Sequence, residues 1–187
     1  MVSRNIEIKA YLRDRAAAQA TAARLSGAAP ETIHQRDIFF RCDGARLKLR
    51  IFAPDRGELI LYERANVAQA RSSRYSIART ADPQVLLDIL TQTLGVTGTV
   101  EKVRTLYLVG QTRIHIDQVQ GLGDFFELEV VLPPGQSTAQ DENEGRRIAA
   151  KLLREFKIGP EDLIAEAYVD LLAGKTESAQ LQASEIE

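Results

Sequence analysis

The chain is poor in the residues that build common redox and zinc sites. Its 187 residues include one cysteine, Cys42, and two histidines, His34 and His115. A single cysteine excludes an intramolecular disulfide and any cysteine-based zinc site. Two histidines exclude a His-rich metal site and a relay of several histidines. Any metal is therefore expected on carboxylates, which favours a hard cation, Mg²⁺ or Mn²⁺. No run approaches the roughly 18 consecutive apolar residues of a membrane span. The opening Met1-Val-Ser-Arg-Asn-Ile-Glu lacks the apolar stretch of a signal peptide, so the cytoplasm is the expected location. An excess of either charge is also missing: 24 Lys and Arg stand against 26 Asp and Glu, a net charge of −2. A dedicated nucleic-acid-binding protein would carry a markedly basic domain, so neither nucleic acid nor membrane is an expected partner.

What is present suits a folded globular chain, with 27% charged and 44% hydrophobic residues. A chain of this length can bury a core without a disulfide or metal staple. Residues 1–173 read as one domain and 174–187 as a polar tail, expected to fray. Short runs alternate with period two. Asn5, Glu7 and Lys9 share one strand face, with Ile6 and Ile8 on the other. Arg46, Lys48 and Arg50 alternate with Leu47, Leu49 and Ile51. Tyr62 and Arg64 share a face, as do Lys102 and Arg104. Arg113, His115 and Asp117 alternate with Ile114 and Ile116, and Phe125, Glu127 and Glu129 with Phe126, Leu128 and Val130.

Helical segments separate these runs. Asp14 to Leu25 is alanine-rich and stops near Gly27. Asp82-Pro83 opens a second helix that ends at Gly95. Asp141 to Phe156 is a third, with Asp141 and Glu144 spaced as a capping box. A short fourth covers Leu163 to Leu172. Gly57, the Gly121-Leu-Gly123 turn and Pro133-Pro134-Gly135 punctuate the strands. Runs of strands joined by short turns predict antiparallel pairing and an α+β fold.

The polar faces carry full charges in same-sign pairs: Lys48 with Arg50, Lys102 with Arg104, and Glu127 with Glu129. Such neighbours stand about 7 Å apart along a strand. They gain nothing from each other and make sense if an opposite charge lies between them. Cations facing carboxylates suit a polyphosphate chelated by a divalent metal. The plainer reading is a set of solvated faces with weak cross-strand ion pairs.

These runs together resemble the CYTH superfamily, the triphosphate tunnel metalloenzymes. Asn5-Ile6-Glu7-Ile8-Lys9 resembles the E-x-E-x-K strand that marks the family. His34 to Phe40, Arg46-Leu-Lys48-Leu-Arg50, Leu59 to Arg64, and Glu101-Lys102-Val-Arg104 are similar to its following strands. Arg113-Ile-His115-Ile-Asp117, then Gly121 to Glu129, resembles its closing hairpin. Order and spacing agree from about residue 3 to 172.

The resemblance implies an eight-stranded antiparallel barrel around a charged tunnel, with helices outside. It implies metal binding by Glu7, Asp117, Glu127 and Glu129. It places Lys9, Lys48, Arg50, Arg64, Lys102, Arg104 and Arg113 on the phosphates, with Lys9, Lys48 and Arg50 as catalytic residues. Asn5 stands where the motif has its first Glu; an amide oxygen can ligate a cation but brings no charge. The implied substrates are tripolyphosphate, thiamine triphosphate or ATP. The implied reactions are triphosphate hydrolysis, put first, and cyclisation of ATP to cyclic AMP and pyrophosphate. A non-catalytic polyphosphate-binding module is the reading that Asn5 keeps open, and a homodimer is left open.

Lesser candidates are His115 as a proton carrier or packing residue, and Arg71 and Arg74 with Ser72, Ser73 and Tyr75 as phosphate contacts or a solvated edge strand. Arg146, Arg147, Lys151 and Arg154 read as a solvated helix face. Cys42, beside Asp43-Gly44, reads as an incidental turn residue.

Overall fold

The computed structural model describes residues 3–133 and 138–184, with side chains as far as residue 178. The strands are β1 (Ser3–Tyr11), β2 (Glu31–Phe40), β3 (Arg46–Ala53), β4 (Arg56–Arg64), β5 (Arg71–Thr80), β6 (Val96–Val109), β7 (Thr112–Val119) and β8 (Gly123–Val131). The helices are α1 (Arg15–Ser26), α2 (Pro83–Leu94), α3 (Ala139–Glu155) and α4 (Tyr168–Ser184), with a 3₁₀ turn at Pro160–Asp162. All eight strand pairs are antiparallel, and the sheet closes in the order β1-β5-β4-β3-β2-β6-β7-β8. The expected eight-stranded barrel with helices outside is the observed fold.

The barrel is inverted relative to a small packed one, whose inward side chains fill its interior. Here the aliphatic faces of most strands turn outward and are covered in large part by helices. Ile6, Ile8, Ile114, Ile116, Phe126, Leu128 and Val130 pack under Ala18 and Ala22 of α1 and Ala149 and Leu152 of α3. Ile38, Phe40 and Leu49 pack under Leu86, Leu87, Leu90 and Leu94 of α2. Burial of these apolar faces stabilises the fold at about 25 cal/mol per Å². The alternating charged faces are thereby turned into the lumen.

A third apolar cluster lies across one end of the barrel. Phe39, Val100, Val119 and Phe125 meet Ile164 and Tyr168 there. The chain reaches this place in extended form: the Ile164 N–H donates to the Lys9 carbonyl at 2.9 Å, and Leu163 bridges to Ala10. That pairing is why helix does not begin at Leu163 as the sequence suggests. α4 starts at Tyr168 and runs to Ser184, so residues 174–184 are helical where a frayed tail was expected. Its first turn sits close on β6, since a Cβ at Gly98 would lie 2.4 Å from Val169.

Other ends also differ from expectation. α3 is capped by Thr138, which accepts from the Asp141 N–H while the Asp141 carboxylate accepts from the Thr138 N–H. Asp141 is thus the reciprocal partner in the box, and Glu144 pairs with Arg147 instead. Gly57 lies within β4, facing Pro83, and not in a turn. Gly121 and Gly123 both take positive φ at the β7–β8 turn, +78° and +103°, where glycine carries no steric cost. Pro134 and Gly135 lie outside the described residues. β5 pairs with β1 and β4 on its two sides, so Arg71 to Tyr75 is not an edge strand.

Candidate functional site

The lumen encloses a cavity of about 390 Å³. All seven sequence-derived cations line it: Lys9, Lys48, Arg50, Arg64, Lys102, Arg104 and Arg113. Glu7, Glu127 and Glu129 line it too. Each projects inward because it occupies the polar phase of its strand, opposite the outward phase. Ala167 and Tyr168 line the closed end. Ile33, Phe52, Tyr75, Ile77 and Leu106 add an apolar lining, and Ile77 is 46% exposed.

Inside, the charges form a paired network across the strands. The Asp37 carboxylate receives the Arg50 Nε and Nη2 donors at 2.7 and 2.8 Å and Lys48 Nζ at 2.8 Å. Glu7 Oε1 accepts from Arg64 and from Arg71, both at 2.9 Å. Glu127 pairs with Lys9 at 3.2 Å and with Arg104. Glu129 pairs with Arg113 at 3.5 Å. These partners are ion pairs, as the plainer reading expected, but apart from the half-exposed Arg113 pair they are largely buried inside the barrel. A buried cation needs a partner carboxylate, because an unpaired charge in a low-dielectric interior is very costly.

Asp117 behaves differently from the other expected metal ligands. It is fully buried, and it is not among the residues lining the cavity. Its two oxygens accept from Lys102 at 2.6 Å and from Arg104 at 2.7 and 2.6 Å, and the Tyr168 hydroxyl donates to it at 3.2 Å. With that many donors its lone pairs are committed to holding cations. Arg104 Nη2 bridges it to Glu127, so it stands one guanidinium away from the lumen carboxylates.

Ionisation follows from burial and from these pairs. Burial alone would raise Asp37, but Arg50 and Lys48 hold its carboxyl well below the usual range. The same balance lowers Asp117, where Arg104 and Lys102 overcome burial. Glu127 and Glu129 are also lowered against their burial. Glu7 goes the other way: burial raises it, Arg64 opposes, and the neighbouring Glu129 and Glu127 charges add to the rise. Burial lowers Lys9, with Glu127 opposing. Burial also lowers Lys48 to about 8, with Arg50 adding to the effect and Asp37 opposing it. Burial lowers His115, and Arg104 adds to that. The lumen lysines are thus held below their ordinary range chiefly by burial, a setting in which a bound polyanion would favour their charged forms.

Three participants were missed in the sequence. Asp37 sits on β2 in the same phase as Gln35 and Phe39, but nothing in its local run marks it as the anchor for two cations on β3. Arg71 reads from the sequence as a phosphate contact or an edge-strand residue; it is buried, bonded to Glu7 and to the Val67 and Ala165 carbonyls. Tyr168 comes from a helix 37 residues beyond the last strand's end at Val131. Its ring lies 3.6 Å from Lys9 Nζ and 5.0 Å from Lys102 Nζ, a cation–π lid over the closed end. Of the lesser candidates, Arg147 does sit on an exposed face and Cys42 is a half-buried free thiol. Arg146 departs from that face by donating to the Ala70 carbonyl.

The CYTH domain model matches residues 3–168, most of the chain. The chain belongs to the CYTH family. Solved structures share the fold of this CYTH protein at low sequence identity. The PH1012 protein of Pyrococcus horikoshii superposes with a TM-score of 0.76 at 20% identity, covering 89% of this chain and 98% of its own. A proposed adenylate cyclase from Vibrio parahaemolyticus gives 0.70 at 17% identity, over 90% and 97% of the two chains. HpAC1 from Hippeastrum, a proposed adenylyl cyclase whose structure is described as revealing a dominant triphosphatase activity, gives 0.59 at 18%, over 92% and 96%. Among curated proteins none matches this CYTH chain. Within its described residues no helix is long and apolar enough to cross a membrane.

Proposed function

We propose that this CYTH protein is a divalent-metal-dependent triphosphatase that hydrolyses an inorganic or organic triphosphate in its lumen. The observation that carries the proposal is the lumen cavity of about 390 Å³ lined by eight cations and five carboxylates. That volume and charge suit a triphosphate chain with a chelated cation. Lys9, Lys48, Arg50, Arg64, Lys102, Arg104 and Arg113 would grip phosphate oxygens and take up charge as the terminal phosphoryl group leaves. The arginines offer planar two-point contacts and the lysines act as point charges. Asp37 and Asp117 would hold those cations in position. A metal at the Glu127–Glu129 side of the lumen, Mg²⁺ or Mn²⁺, supplies a Lewis acid for a phosphoryl oxygen when bound. The triphosphatase activity described for the Hippeastrum relative agrees with this choice.

A second reading is cyclisation of ATP. The apolar lining by Ile33, Phe52, Tyr75, Ile77 and Leu106 favours it, because these side chains could seat a nucleoside. Incubation with tripolyphosphate, thiamine triphosphate and ATP, each with Mg²⁺ or Mn²⁺, separates the readings. Orthophosphate release from at least one substrate is expected. Cyclic AMP and pyrophosphate as main products would replace hydrolysis by cyclisation. Tight binding without turnover would leave only the binding module, and the Asn5→Glu variant would then be expected to gain activity.

Lys48 makes triphosphate binding pH-dependent. Its folded pKa is about 8, and a bound polyanion favours the charged form. Binding near pH 8 should therefore take up a proton at Lys48. Below that pH the lysine is already charged and the uptake disappears; above it, affinity should fall. Calorimetry in buffers of different ionisation enthalpy measures the uptake, with the Lys48→Arg variant as reference. Identical proton counts for the two proteins at pH 8 would refute the assignment.

A further inference from the structure

Carboxylates alone were expected to hold any metal, but the tertiary structure brings an imidazole to them. Among the described residues one group of three donors could surround an ion: His115, Glu127 and Glu129, whose ligand atoms all lie within 4.8 Å of one another. His115 stands on β7 directly opposite Glu127 of β8 in the strand register. Its Nδ1 is 3.7 Å from Glu127 Oε2 and 3.9 Å from Glu129 Oε1, beyond hydrogen-bond length. That nitrogen is buried without a partner, in a residue only 3% exposed that lines the cavity. Buried polar atoms are nearly always satisfied, so an orphaned lumen nitrogen beside two carboxylates points to a missing ligand. His34 offers no alternative, because it is exposed on the other phase of β2.

We propose that His115 is a direct ligand of the divalent ion, and that with Glu127 and Glu129 it forms a one-imidazole, two-carboxylate site preferring Mn²⁺ to Mg²⁺. This rests on the metal-dependent reading above and specifies its site. Donors around an ion at about 2.1 Å stand roughly 3.0–3.4 Å apart. The His115 gaps of 3.7 and 3.9 Å, with all three donors within 4.8 Å, exceed that spacing by about 1 Å or less on the imidazole side. Glu127 can keep Lys9 and Arg104 while ligating, since each carboxylate oxygen carries two lone pairs. The Arg113 contact with Glu129 is partly exposed and readily given up. Imidazole binds Mn²⁺ and the later first-row ions better than Mg²⁺, which prefers oxygen donors throughout. A purely carboxylate site lacks the nitrogen donor that widens this preference.

The test uses metal alone, without triphosphate. Pulsed electron paramagnetic resonance of Mn²⁺ bound to the wild-type protein should show a ¹⁴N coupling of a directly ligated imidazole. The His115→Gln variant should lose that coupling, bind Mn²⁺ at least about tenfold more weakly, and change its Mg²⁺ affinity by less than about threefold. Mn²⁺ bound to the wild type without ¹⁴N coupling would overturn the proposal, and so would no Mn²⁺ binding at millimolar concentration. The wild-type spectrum decides the matter even if the variant fails to fold. Triphosphate turnover without the coupling would sink the His115 ligand and leave the enzyme standing; the coupling without turnover would do the reverse.

Discussion

Arg50→Ala is expected to lower kcat/KM for tripolyphosphate by about 10²–10³-fold while the protein stays folded. Arg50 is a partly buried lumen cation whose Nε and Nη2 are held on Asp37 at 2.7 and 2.8 Å, which leaves Nη1 outside that pair for a phosphate oxygen. Catalysis of phosphoryl transfer is mostly positioning and charge stabilisation, so a fixed guanidinium beside the phosphates matters more than a mobile one. The fold should survive because Asp37 keeps Lys48 as a partner at 2.8 Å. Arg50→Lys should recover part of the loss, since it restores charge without the planar fork. Steady-state kinetics with circular dichroism checks both halves. A loss under tenfold in a folded variant would remove Arg50 from the catalytic set.

The largest stability effect is expected from Asp117→Ala, about 3–5 kcal/mol in urea denaturation. The side chain is at the point where Lys102, Arg104 and Tyr168 converge. Removing it leaves Lys102 with no carboxylate at bonding distance in this cluster and leaves Arg104 with Glu127 alone. Such a loss is a large part of a domain's usual net stability of about 5–15 kcal/mol. The folded pKa of Asp117 is depressed below its ordinary 3.8. Its contribution is therefore present above pH 3.8 and lost as pH falls through the folded value. The wild type should lose stability in that acid range more steeply than the variant. Equal stability of the two proteins at pH 7 would show that the lumen cations do not depend on Asp117.

Much of the site is readable from strand phase. Glu7 and Lys9, Lys48 and Arg50, Lys102 and Arg104, and Glu127 and Glu129 all point where period-two alternation sends them. Pleat geometry is local, so two residues apart always means the same face. The CYTH likeness was legible in the order of these runs, and the barrel was what that resemblance implied. Pairing was not legible. Asp37 meets Lys48 and Arg50 because the β2–β3 register sets Asp37 opposite Arg50 and Phe39 opposite Lys48. Asp117 anchors cations in addition to its expected acidic role, because β6 puts Arg104 directly across from it. Arg71 belongs to the lumen network because β5 closes against β1, so Arg71 faces Glu7 in register.

The sequence by itself determined the fold class, the helix stop at Gly27, the α2 limits at Pro83 and Gly95, and the sign of charge each strand brings to the lumen. These depend on propensity, caps and alternation, which act over a few residues. Tertiary structure alone decided which cation each carboxylate neutralises, that Tyr168 covers one end, and that the lone inward histidine stands beside Glu127 and Glu129. Those outcomes depend on register between strands and on helix docking. They join residues such as Lys9 and Tyr168, 159 positions apart, and no local pattern carries that information.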